Sequence, residues 1–390
     1  MTWDAAEAEA PPRIWNTALA MIAAVVMLLI YSAAWQLPLF GDKPDPAAAG
    51  LARTAYLPAY ALAFLLILAR PWNTARVAAR QPFLLLLMGI VVASIAWSVA
   101  PNASIRHGFA AACTTIAGLA LAAGFRWIDL SRLLGIVFAV LVVASYGVCL
   151  AAPSIAVVSE TLPGGWRGLW MAPGTLGGLM ALGCCVLSAT ALMDADLRKL
   201  WLAFAGLAAG LVLMSRSGAG LAALAVGLTA LSFVWACRRG ATRGATVVGV
   251  LLLVLFMLLA ASTLLGKEAV VTGRTPLWAT ALSQIEQRPW LGYGYGASAG
   301  QSVRNAWIEL WLGVGLFGLM AWGLFYLQAL ALAVIAAFRD SGALLAFPVL
   351  AAFTLVSLTE SVAMADNDLR WVVFVAAAGK LAFSDRVWDG

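Results

Sequence analysis

Hydrophobic positions in this chain come in long runs, separated by short polar breaks. Runs near 14–37, 54–70, 82–98, 107–124, 133–152, 173–193, 199–214, 218–236, 245–265, 306–337, 342–359 and 369–384 are mostly apolar. A helix needs about 20 such residues to cross a bilayer core. The pattern predicts an all-α, polytopic membrane protein with about twelve transmembrane helices. The chain, 1–390, then forms a single integral membrane domain. The first run is expected to be a retained helix. The segment before it carries Asp4, Glu7 and Glu9, unlike the basic start of a secretory signal.

One polar break is longer than the others. Residues 266–305 are expected to form one large external loop, and long ordered loops are usually functional. Within it, Leu277, Ala281, Leu282 and Ile285 recur at helical spacing, which predicts a short amphipathic helix over Pro276–Arg288. Pro276 suits its first position and Pro289 ends it. Gly292–Tyr293–Gly294–Tyr295–Gly296 follows, read as a flexible, aromatic-lined turn.

Composition strengthens the membrane reading. The chain is 63% hydrophobic and 11% charged, against about 25% charged for soluble proteins. Charge then sets the orientation. With the N-terminus in the cytoplasm, the cytoplasmic segments hold 14 of the 24 Lys and Arg residues, as positive-inside sorting requires. The net charge of +6 follows from these loops. No basic run with interleaved aromatics points to nucleic acid. Of the five cysteines, Cys113, Cys149, Cys184 and Cys185 lie in apolar runs, and none of the five, Cys237 included, has metal or redox spacing. They read as small buried hydrophobes. No cofactor and no metal site is expected.

Polar residues collect at the external helix ends: Arg167, Arg216, Arg274, Arg304, Asn305, Glu309, Glu360, Asp366, Asn367 and Asp368. Few ionisable groups fall inside helices. Coupled transporters more often bury acids near the midplane, on broken helices, so the pattern weighs against transport. External arginines oppose the charge rule. Arg216, in Met214–Ser–Arg–Ser–Gly218, and Arg274, in Thr272–Gly–Arg–Thr–Pro276, each fit an anionic ligand held by a bidentate fork. Arg274 gains the positive end of the loop helix. Each equally fits an arginine reaching for lipid headgroups. Asn305 and Glu309 share a helix face. Trp307 and Trp311 repeat that spacing and read as interfacial anchors. The single histidine, His107, reads as a helix-end residue, and no nucleotide-binding P-loop is present.

Five stretches together resemble the O-antigen ligase and polymerase superfamily, most closely its exopolysaccharide polymerase branch. They are Trp97–Ser–Val–Ala–Pro–Asn–Ala–Ser–Ile–Arg106, Trp166–Arg–Gly–Leu–Trp170, Ser215–Arg–Ser–Gly218 and Gly273–Arg–Thr–Pro–Leu–Trp278 with Arg288–Pro–Trp–Leu–Gly–Tyr–Gly294. The closing stretch is Asn305–Ala–Trp–Ile–Glu309 with Gly315–Leu–Phe–Gly318, then Thr359–Glu–Ser361, Asn367 and Trp371. They span roughly residues 97–371. Each motif is short and degenerate; their order in this frame is the specific feature.

The resemblance implies glycosyl transfer, with inversion and without metal, from undecaprenyl-diphosphate-linked oligosaccharide at the periplasmic face of the bacterial inner membrane. It implies polymerisation of surface-polysaccharide repeat units, with a glycan donor and a glycan acceptor as substrates. A chain-length regulator and a flippase for lipid-linked units are the implied protein partners. By position, Arg274 and Arg216 would hold the diphosphate. Glu309, Glu360 or an acid near Asp366 would accept the acceptor proton, a choice left open. Arg167, Arg288, Arg304, Asn305 and Asn367 would bind substrate, and Trp278, Trp290, Tyr293 and Tyr295 would stack on sugars or pack the loop. Two departures stand out. Arg304–Asn305 replaces a common His-Asn, and Met171–Ala–Pro–Gly174 replaces a His-Lys-Asn-like stretch. Loss of that histidine favours a polymerase over a ligase. A ligase remains the alternative, and a lipid-linked oligosaccharide transporter the alternative of a different class.

Overall fold

The computed structural model describes residues 17–41, 46–158, 164–241, 243–244, 247–249, 251, 275–297 and 303–383. It is mostly helical: α1 Thr17–Tyr31, α2 Leu57–Ala69, α3 Pro71–Ala79, α4 Pro82–Ala93, α5 Pro101–Gly124, α6 Trp127–Ala151, α7 Pro173–Met193, α8 Arg198–Met214, α9 Gly218–Arg238, α10 Thr275–Gln287, α11 Ala306–Arg339, α12 Ala343–Thr359 and α13 Leu369–Phe383. Among the described residues, six helices are long and apolar enough to cross a membrane, or seven if a bent pair counts as one span. This is a membrane-embedded helical protein. The predicted runs fall on these helices, except 245–265, most of which lies outside the described residues.

Packing explains the order. Helix α7 lies at the centre of one group, against α6, α8, α9 and α12, while α5 packs on α2 and α13. Close approach needs small residues, as in membrane bundles generally. At Gly118 of α5, a Cβ would stand 2.7 Å from Val375 of α13. The α11–α12–α13 junction is filled by Trp322, Phe353, Trp371 and Phe374, with Phe353 and Phe374 stacked at 4.3 Å. Trp307 joins this group, 5.6 Å from Trp322, and its Nε1 donates to Ser357 Oγ at 3.1 Å. Trp311 Nε1 donates to the Pro289 carbonyl at 3.0 Å. The two tryptophans expected as interfacial anchors are therefore tied into the protein. Spacing alone does not say which face a helix turns inward.

Helices that alternate in direction give the bundle two ends. One end gathers Arg70, Arg76, Arg80, Arg126, Arg132, Arg198, Lys199 and Arg339, and we call it the basic end. Arg80 binds the carbonyls of Ala382 and Phe383 there, at 3.3 and 3.2 Å. The opposite, polar end gathers residues near 31–41, 46–57, 94–107, 164–175, 215–218, 288–297, 303–309 and 360–370. All non-glycine residues with left-handed backbone among those described, Ala33, Arg216, Arg304, Met364 and Asn367, lie at the polar end. Such conformations cost energy and collect at functional sites.

Helix α11 is broken where the sequence pattern predicts continuity. Gly315 has φ 71° and ψ −172°, a conformation essentially reserved for glycine. The carbonyls of Leu312 and Gly313 accept from the N–H groups of Tyr293 and Gly294, at 2.9 and 2.8 Å. The Leu316 N–H donates to the Pro289 carbonyl at 2.9 Å. A Cβ on Gly315 would collide with the Trp290 carbonyl. Helices α3 and α4, with the turn to Trp97, form a second break, bent by 91°. The expectation of one continuous helix over 306–337 is thus corrected. No hydropathy signal separates a break whose backbone groups are satisfied by a loop from a continuous helix.

Candidate functional site

The glycine–tyrosine stretch after α10 is a clamp rather than a flexible turn. Besides holding the α11 break, it meets the α4–α5 turn. Trp97 Nε1 donates to the Leu291 carbonyl at 2.8 Å, Val99 N–H to the Tyr293 carbonyl at 3.0 Å, and Tyr295 N–H to Ser94 Oγ at 3.1 Å. Helix α10 forms close to its predicted bounds, beginning one residue before Pro276. Ala281 and Ile285 are buried, with Val303 and Leu312, while Leu277 and Leu282 remain 45% and 42% exposed. The amphipathic stripe is narrower than the sequence pattern suggests.

The clamp seats one cluster of chemistry-bearing residues. His107, in the second turn of α5, lies against Gly296, where a Cβ would stand 2.6 Å from the His107 Cβ. Its Nδ1 is 2.9 Å from Asp366 Oδ2, and the two side chains are 26% and 38% exposed. Glu309, in the first turn of α11, lies within electrostatic reach of both. Its Oε2 is buried and has no hydrogen-bond partner among the described residues. Ser361 lies alongside, but the two do not meet in hydrogen-bonding geometry. A buried oxygen without a partner is costly, and such groups are retained where they do work. Tyr295 closes the cluster by donating its hydroxyl to the Met364 carbonyl. Burial, with the charges of Asp366 and Glu309, pushes that phenol well above its ordinary value, so it stays neutral.

A second group adjoins the first along 359–370. Buried Arg370 grips Asp368 through Nε and Nη2, at 3.0 and 2.6 Å. Glu360, at the C-terminal end of α12, points its Oε1 at the start of α7, where a Cβ on Gly174 would lie 2.8 Å away. Carboxylates are stabilised at a helix N-terminus. Asn367, in left-handed backbone with φ 59°, accepts from the Tyr60 hydroxyl at 2.6 Å and donates its N–H to Thr114 Oγ1 at 3.0 Å.

Arg216 stands in a third group. It also has left-handed backbone, φ 53°, between α8 and α9. Its exposed guanidinium lies beside the two-stranded hairpin Val157–Val158/Gly165–Trp166, with Nη2 3.5 Å from the Cβ position of Gly164. The turn around it packs on α7. A Cβ on Gly177 would stand 2.8 Å from Ser215 Oγ. Helix α7 therefore carries Glu360 on its first turn and the Arg216 turn on its second.

The remaining candidates among the described residues have definite places. Arg274 lies outside the described residues. Arg167 donates to the Ile155 carbonyl at 2.7 Å and braces the hairpin. Arg288 lies over the Tyr293 ring at 5.2 Å, and the Tyr293 hydroxyl donates to the Gln284 carbonyl at 3.1 Å. Trp278 Nε1 donates to the Val303 carbonyl at 3.0 Å. Arg304 is exposed, with φ 51°. Asn305 caps α11, its Oδ1 accepting from Trp307 and Ile308 N–H at 3.0 and 3.2 Å. Trp278, Tyr293 and Asn305 thus use polar atoms to hold the loop and helix in place. The structure brings together Glu309, Tyr295 and Asn367 with two residues the sequence reading passed over or left vague, His107 and Asp366. They are 259 positions apart, and the available signal was that the one histidine falls on a helix end facing the same side as the acids.

Among the described residues, no group of His, Cys, Asp and Glu could hold a metal ion. All five cysteines are free. No protein-family model matches the chain, and no curated protein matches it.

Proposed function

We propose that this chain is a membrane glycosyltransferase that joins glycan repeat units carried on undecaprenyl diphosphate, with inversion, at the periplasmic face of the bacterial inner membrane. The motif order of the sequence supports the donor and the reaction. The observation that carries the reading is the polar end itself. It combines an acid with a buried unpartnered oxygen, Glu309, a His107–Asp366 pair and external arginines on a membrane-embedded frame. In this proposal the chain crosses the membrane twelve times, through α1, α2, α4 to α9, the 245–265 run and α11 to α13, and residues 266–305 lie outside. The basic end then faces the cytoplasm, in keeping with positive-inside sorting.

The chemistry follows from those groups. The acceptor hydroxyl attacks the anomeric carbon as the bond to the diphosphate oxygen breaks, and the electron pair leaves with the diphosphate. In this reading Arg216 and Arg274 stabilise the growing charge on that oxygen. An acid of the cluster takes the hydroxyl proton. A second reading, transport of the lipid-linked unit, draws support from the break in α11 next to Glu309.

The test is reconstitution in lipid with repeat units on undecaprenyl diphosphate, without ATP, metal or nucleotide sugar. A ladder of lengthening glycans with released undecaprenyl diphosphate is the expected result. Release that needs a separate lipid or protein acceptor would instead mark a ligase. Translocation without bond formation would mark a transporter.

A further inference from the structure

A cleft of about 310 Å³ opens at the polar end beside the His107–Asp366 pair, lined by Gln36, Phe40, Arg53, Tyr56, Asp366 and Asn367 among others. We infer that this cleft holds the terminal sugar of the acceptor glycan, and that Asp366 is the base that takes its proton. The inference rests on the glycosyl-transfer reading and assigns its acceptor side.

The lining favours a neutral polyhydroxylated ring over an anion. Asp366 and Asp368 both lie within electrostatic reach of Tyr56, and Arg53 is the cation that faces them in the cleft. A diphosphate would meet more negative charge than positive there. A sugar asks for something else: planar amide and carboxylate groups for its hydroxyls and an aromatic face for its C–H side. Gln36, Asn367 and Asp366 supply the first, and Phe40 and Tyr56 the second. Trp35 backs both rings, at 6.1 and 5.3 Å. Gln36 Nε2 donates to the Tyr56 hydroxyl at 2.9 Å, and Tyr60 occupies the Asn367 carbonyl oxygen. These bonds fix the amides before any ligand arrives, and preorganised polar groups bind at lower cost.

Asp366 belongs to both the cleft and the cluster. His107 holds its Oδ2, so Oδ1 is the oxygen left to meet a hydroxyl. The proton passes from the acceptor hydroxyl to Oδ1, the hydroxyl oxygen bonds to the anomeric carbon, and the bond from that carbon to the diphosphate breaks. His107 does not touch the sugar in this scheme. It is a positioning residue, and its Nδ1–H orients the carboxylate.

The experiment uses the full chain in nanodiscs with two probes: lipid-linked repeat units as donor, and the same repeat-unit oligosaccharide freed of lipid as acceptor. Asp366→Asn should lower kcat on the order of 100-fold or more while donor binding is retained. His107→Ala should lower kcat less, and His107→Gln, which keeps an N–H donor, should recover part of the loss. A purely structural role for His107 would not give that recovery. Arg53→Ala should raise the acceptor KM about tenfold with kcat little changed. Turnover close to wild type in Asp366→Asn would overturn the base assignment. Saturation-transfer NMR of the free oligosaccharide tests the cleft without turnover. Signals that persist unchanged in both Arg53→Ala and Phe40→Ala would overturn the subsite. If the wild type forms no ladder yet binds the oligosaccharide through Arg53 and Phe40, the transferase reading fails and the sugar site stands.

Discussion

The two ends of the bundle each hold an aspartate beside a nitrogen base, and they treat it in opposite ways. At the basic end Asp194 is sealed, its side chain 1% exposed. It accepts from Arg132 Nε and Nη2 at 2.8 and 3.0 Å and from Trp201 Nε1 at 3.1 Å. Those donors hold its carboxyl down at about 2. At the polar end Asp366 is 38% exposed and, among the described residues, its hydrogen-bond partner is His107, while Glu309 beside it has an oxygen with none. A carboxylate with every lone pair occupied ties helices together. One with open lone pairs is available to a substrate. The difference separates a structural charge from a chemical one.

Breaking the proposed diphosphate site should have the largest effect. Arg274→Ala should abolish glycan product while the protein still inserts, read by product gel and membrane fractionation. Arg274→Lys should also be poor, since a point charge does not replace a planar fork. Next, Gly315→Ala should remove the α11 break or unseat the loop that fills it, at a cost of several kcal/mol in unsatisfied backbone. Thermal unfolding in detergent and a proteolysis assay on the 288–297 clamp would report it, and an unchanged clamp would refute the arrangement.

The basic end should respond in stability alone. Asp194→Asn should lose about 1.5–3 kcal/mol and leave kcat untouched. The pH dependence follows from the sign of the shift. Asp194 has a lower value in the folded state than unfolded, so its contribution is complete above about 4. It disappears as pH falls through about 2. Wild type and variant should therefore converge in unfolding temperature at the acid end. A gap that persists there would mean that the carboxylate charge is not the source of the stability. Smallest of all, Asn305→Ala should cost about 1 kcal/mol through the lost cap of α11, while Asn305→Asp should keep most of it.

Much of the frame was legible from the sequence. Helices α5, α7, α9 and α12 lie close to the apolar runs that predict them, because length and hydropathy are local properties. The site was legible only in part. Glu309 and Asn367 carry a signal as polar residues at helix ends. For His107 and Asp366 the sequence shows only that both fall at helix ends on the same side; their pairing is made by α5 and the turn before α13 meeting in space. The cap role of Asn305 and the core place of Trp307 depend on which way a helix is rotated. Hydrophobic pattern fixes that poorly when a helix is apolar all round.

The α11 break also bears on how the chain enters the membrane. Two carbonyls and one N–H at Leu312, Gly313 and Leu316 take partners in the clamp. In hydrocarbon, each such group left alone costs several kcal/mol. The clamp lies ahead of α11 in the chain, so a ribosome delivers the partners before the groups that need them. The loop serves the helix as a template already in hand, and the bend can be set as the helix arrives.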